Sequence, residues 1–142
     1  MMTTIFSIIL FLIFILLGLI HFYWIFGGKW ALDKALPTKE IGEKVIEPPK
    51  ITTAIVGIGL ISFGLLYLTK SSLIDFQVSN WITTYGSWII PVIFILRAIG
   101  DFKYVGFFKK IKSTNFGKAD SKIFSPLCLT IGIIGILIQL MK

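Results

Sequence analysis

The sequence predicts an all-α integral membrane protein, a bundle of four transmembrane helices, and three observations carry that expectation. First, 56% of the 142 residues are apolar and only 15% charged, with a mean hydropathy of +0.90, against about 25% charged in an ordinary soluble domain. Second, the apolar residues gather into four runs, each near the roughly 20 residues that cross a hydrocarbon core of about 30 Å. Third, most charges fall between these runs. Together they exclude a soluble enzyme, a disordered tail and a disulfide scaffold, and they predict one four-span membrane domain over residues 1–142.

The first span, about residues 5–26, runs from Ile5 to Phe26 without a charge. It is too long for a signal peptide, no Lys or Arg precedes it, and no small-residue cleavage site closes it, so a retained helix is expected. Gly27-Gly28 ends it, and Trp30 to Leu36 predicts a short interfacial helix. Pro48-Pro49 then starts the second span, about 51–68, which is rich in Gly and Thr. The third, about 81–100, contains Arg97 and Pro91, whose missing N–H predicts a kink. The fourth, about 123–141, carries Pro126 in its first turn, where a missing N–H costs little. Each run must be helical, because an unpaired backbone amide in lipid costs several kcal/mol.

Residues three, four and seven apart share a helix face. Each span then shows one seam of small or polar residues on an otherwise Ile/Leu/Phe surface. The seams are Ser7, Phe11, Phe14, Gly18, His21 and Ile25; Thr53, Gly57, Leu60 and Gly64; Thr83, Gly86, Ile90, Phe94, Arg97 and Asp101; and Cys128, Gly132, Gly135 and Gln139. Small residues let helices approach closely in lipid, so these seams are expected to face inward.

The net charge is +7, and its distribution is uneven. The first connection carries Lys29, Lys34, Lys39, Lys44 and Lys50; the third has Arg97, Lys103, Lys109, Lys110, Lys112, Lys118 and Lys122. Only Lys70 and Lys142 lie on the other side. Twelve against two predicts, under the positive-inside rule, a multi-pass cell-membrane protein with both termini outside and loops 27–50 and 101–122 cytoplasmic. Anionic inner-leaflet lipid explains these lysines better than nucleic acid does, since no basic recognition fold accompanies them.

Two segments stand apart. His21-Phe22-Tyr23-Trp24-Ile25-Phe26-Gly27-Gly28 leaves the first helix, and Arg97-Ala98-Ile99-Gly100-Asp101-Phe102-Lys103-Tyr104-Val105-Gly106-Phe107-Phe108-Lys109 leaves the third. With Leu36-Pro37-Thr38 and Phe124-Ser125-Pro126-Leu127, they make the chain resemble a family of small bacterial membrane proteins catalogued as domain of unknown function 3995. The resemblance implies a four-span membrane protein. It brings no activity, substrate or catalytic residue.

An ionisable residue inside a span usually faces the bundle or a watery cavity. His21 and Arg97 both qualify, and Asp101 follows Arg97 at the i,i+4 spacing of a helical ion pair. A carboxylate at a helix C-terminus opposes the dipole and calls for a partner. These residues are expected to form a polar cluster, with Arg97 paired to Asp101 and His21 donating to Asp101 or a backbone carbonyl. The bland alternative is structural: Arg97 snorkels, Asp101 caps it, and His21 ties two helices together. Tyr23, Trp24, Gly28, Trp30 and Tyr104 are the expected lining of a pocket there, or else part of an aromatic belt.

No catalytic residue and no cofactor is expected. One His and one Cys build no zinc or haem site, and no Gly-Lys-Ser/Thr phosphate loop exists. The lone Cys128 lies within the fourth span and forms no intrachain disulfide. Three functional readings follow. The first is an accessory protein whose partners are membrane lipids, or a small amphiphilic ligand, held at the cytoplasmic end. The second is a transporter or channel working as a homo-oligomer with His21 in proton coupling. The third is a membrane enzyme acting on a lipid headgroup.

Overall fold

The structure, a computed structural model, describes residues 1–37 and 48–141, and every regular element within them is helical. Helix α1 spans Met2–Ile25, the short α2 Leu32–Ala35, α3 Lys50–Lys70 and α4 Asn80–Ile99. Then α5, Asn115–Ala119, passes through one π-helical turn, Asp120–Phe124, into α6, Ser125–Leu140. Four stretches are long and apolar enough to cross a membrane: α1, α3, α4 and the continuous Asn115–Leu140. The expected charges at Lys39, Lys44 and Lys142, and the Thr38 of the Leu-Pro-Thr motif, lie outside the described residues.

The first three spans match their expected limits closely. The fourth begins earlier than the apolar run, at Asn115 rather than near 123. Its start is set by a cap: the Thr114 hydroxyl accepts from the Gly117 N–H at 2.9 Å, satisfying one of the orphan donors of a first turn. That turn is polar, so hydropathy does not register it. The short interfacial helix after the first span is present as α2.

Packing joins α1 to α3 and α4 to α6, and α1 also meets α6. Small residues make the approach. A Cβ on Gly57 of α3 would lie 3.0 Å from the Phe22 ring and 3.3 Å from the Cβ of His21 on α1. In the other pair, a Cβ on Gly135 of α6 would lie 2.5 Å from the Pro91 ring of α4. Between the pairs sits the core, in which Phe14 packs against Phe94 at 5.2 Å, Phe63 at 5.8 Å and Tyr67 at 5.9 Å between ring centroids.

The buried seams follow the expected faces with small rotations. Buried on α1 are Ser7, Leu10, Phe14 and Gly18, and on α3 Gly57, Leu60, Gly64 and Tyr67. On α4 the buried face is Ser87, Ile90, Pro91, Phe94 and Ala98, which leaves Arg97 half-buried at its edge. Helices α2 and α5 pack on each other. This contact brings the first and third connections to one end of the bundle.

Candidate functional site

At that end, the side chains converge on Asp120, an acid on the π turn with no exposed surface. Its Oδ1 accepts from Arg97 Nη2 of α4 at 2.8 Å. Its Oδ2 accepts from Lys109 Nζ at 3.1 Å, the Gly106 N–H at 2.8 Å and the Ser125 hydroxyl at 3.1 Å. A buried carboxylate is tolerated only when charge-paired and hydrogen-bonded, and this one has both. Lys109 is equally buried and donates also to the Gly106 carbonyl at 3.0 Å and to the Ser121 hydroxyl. Three protons meet three acceptors, so the ammonium is fully satisfied.

The loop between α4 and α5 is folded to deliver these groups. Gly100 at φ +88° and Gly106 at φ +91° occupy the left-handed region and lie back to back. A Cβ on Gly100 would fall 1.7 Å from the Val105 carbonyl oxygen, and one on Gly106 2.5 Å from the Gly100 Cα. Only glycine fits either place. Asp101 closes the turn between them: its Oδ1 accepts from the backbone N–H groups of Lys103, Tyr104 and Val105 at 2.8–3.0 Å. These hydrogen bonds, from Lys103 foremost, hold the exposed Asp101 carboxyl below the ordinary aspartate range. The Phe107 N–H then donates to the Ala98 carbonyl at 2.8 Å, tying the loop to α4.

Arg97 at the end of α4, and Gly100, Asp101, Gly106 and Lys109 of the loop after it, thus each have a distinct task around one buried acid. A family model described as Protein of unknown function (DUF3995) matches residues 14–135. The chain belongs to that family. Neither the curated proteins nor the solved structures contain a match to it.

The site of this DUF3995 protein differs from the sequence expectation in its pairing. Arg97 binds Asp120 rather than Asp101, because α4 ends at Ile99 and Asp101 no longer holds the i,i+4 position. His21 is not joined to either and takes the backbone alternative: its Nδ1 lies 2.7 Å from the Leu17 carbonyl oxygen of its own helix, and its ring meets Trp24 edge-on at 5.0 Å. Among the described residues no hydrogen bond or ion pair links His21 to Arg97 or Asp101.

Of the expected lining, four residues come together where the DUF3995 chain leaves α1. The Tyr23 ring covers Gly28, where a Cβ would fall 2.2 Å from it, and Trp24 Nε1 donates to the Trp30 carbonyl at 2.9 Å. Trp30 itself is exposed. Tyr104 is elsewhere, under the ammonium of Lys103 at 5.1 Å.

Asp120 and Lys109 were the residues that sequence reasoning missed. A signal existed: Asp120 is the only acid between residues 102 and 142, among six lysines of the third connection.

Proposed function

We propose that this protein is a non-enzymatic accessory protein of the cell membrane that binds a lipid or similar amphiphile at the bundle end carrying Arg97. The observation that carries this reading is the charge balance of the Asp120 cluster. One carboxylate faces two cations, Arg97 and Lys109, and a surplus positive charge at a membrane boundary attracts an anionic or dipolar headgroup. Exposed Trp30, Phe102 and Phe108 at the same end offer apolar surface of the kind that accompanies lipid contact. With twelve of fourteen Lys and Arg in the two connections at this end, we read it as cytoplasmic.

Two alternatives are less well supported. Transport through one copy would need a path between the helix pairs, where Phe14, Phe63 and Phe94 are packed together. His21 is committed to its own helix. For an enzyme acting on headgroups, neither carboxylate is poised as a general base, since Asp120 accepts four hydrogen bonds and Asp101 three.

Native mass spectrometry of the full chain, purified in a mild neutral detergent, tests the proposal. Bound lipid that survives delipidation steps at about one copy per chain is expected. A protein that emerges free of lipid, and gains none from mixed micelles, refutes the reading.

A further inference from the structure

We propose that the group recognised at this end is a phosphate-class anion, held by the guanidinium of Arg97. The inference rests on the lipid-binding reading above and narrows it to one ligand chemistry and one residue. Arg97 is the only arginine in the chain.

The three charges of the cluster have unequal freedom. Lys109 has no exposed side-chain surface and spends all three protons on Gly106, Asp120 and Ser121. It cancels Asp120 and has nothing left for a ligand. The guanidinium of Arg97, by contrast, gives only Nη2 to the cluster, at 2.8 Å to Asp120 Oδ1. Its Nη1 is buried without an acceptor, while the side chain as a whole keeps 32% of its surface. The surplus cation is therefore also the one with an unspent donor, Nη1, on a side chain that is only partly covered.

A guanidinium carries five N–H groups in a rigid fork, and that geometry suits two oxygens of one phosphate. Depth agrees with this: Arg97 lies within the last turn of α4, where the chain leaves the apolar span. Lys103, Lys110 and Lys112 follow α4 in the chain and are exposed; they raise the local concentration of anions without fixing their orientation. A shallow depression of about 470 Å³ lined by Lys103 and Lys110 has only loop side chains for walls, and its ammoniums are point charges without the guanidinium's fork. Two sources share the required chemistry: the phosphodiester of a membrane lipid and free phosphate.

The test uses the full-length protein labelled with [¹⁵N]arginine in neutral micelles, where the single guanidinium gives one set of side-chain resonances. Adding phosphatidylglycerol is expected to shift them, and a phosphate-free diacylglycerol to leave them nearly unmoved. Native mass spectrometry should then show roughly tenfold preference for phosphatidylglycerol, reduced several-fold in Arg97→Lys. That variant keeps a cation for Asp120 but loses the second nitrogen of the fork. The double variant Lys103→Gln/Lys110→Gln should keep most of the preference. Displacement by inorganic phosphate assigns the site to phosphate itself, and resistance to it assigns the site to a lipid headgroup; either supports the proposal. Unmoved arginine resonances, or equal retention of both lipids, overturn the anion assignment while lipid binding stands. Absence of any bound lipid defeats the broader reading instead. Should Arg97→Lys fail to fold, the wild-type resonances decide alone.

Discussion

Two aspartates in this chain look alike in sequence and behave oppositely in the structure. Asp120 is sealed beneath Arg97 and Lys109, and Asp101 is exposed on the loop. Replacing Asp120 with Asn leaves two cations facing each other without their anion, one of them fully buried. Breaking a buried pair in this way costs about 3–5 kcal/mol, so Asp120→Asn should lower the thermal midpoint sharply in detergent. An unchanged midpoint would show that Asp120 is not the keystone of this end. Asp101→Ala should lower the midpoint far less than Asp120→Asn does, and should speed amide hydrogen exchange at Lys103, Tyr104 and Val105, whose N–H groups it caps. The same amides report its titration. Because the folded carboxyl titrates below its ordinary value, the cap is fully present above that value and weakens only as pH falls through the lower, folded one. Protection that is lost already in the ordinary aspartate range contradicts the capping geometry.

At the scale of elements, the sequence was most legible where physics is local. Span lengths follow from bilayer thickness, and the limits of α1, α3 and α4 agree with the apolar runs to within a few residues. The seams were legible too, since Phe14, Gly57, Leu60, Gly64, Ile90, Phe94, Cys128 and Gly135 are buried as the spacing requires. The pairing of charges was not. Arg97 and Asp120 are 23 residues apart, and nothing in helical periodicity connects them. Asp101 is the natural partner only of an α4 that continues past Ile99; Gly100, with its positive φ, ends the helix first. Glycines within the helices make a further expectation concrete. On α6, Gly135→Ala drives a methyl against the rigid Pro91 ring at 2.5 Å, an overpacking that costs about 1–3 kcal/mol. On α3, Gly59 has nothing within 4 Å of its Cβ position, so Gly59→Ala should gain up to about 1 kcal/mol of helix propensity. Thermal unfolding of the two variants in one detergent checks the contrast; equal midpoints would mean that the α4–α6 contact is looser than the geometry implies.

For the whole molecule, the decisive relation is that the two basic connections share an end. Helix α2 rests on α5, so Lys29 and Lys34 join the lysines that follow α4, while the turn between α3 and α4 lies at the far end with Lys70. Each lysine near an anionic leaflet is worth about 1 kcal/mol, and short basic loops resist translocation. Both effects act in the same direction, and they predict that the Arg97 end faces the cytosol. The single native cysteine, Cys128, is buried in α6, which gives a quiet background for labelling. In intact cells an impermeant maleimide should modify Asp75→Cys, on the α3–α4 turn, and should leave Lys110→Cys untouched until the membrane is permeabilised. The reverse pattern would turn the molecule over and place the arginine site against the outer leaflet. Labelling of both in intact cells would mean that the α3–α4 turn and the basic loop lie on the same side. A span would then fail to cross, and with it the four-span topology on which the shared basic end depends.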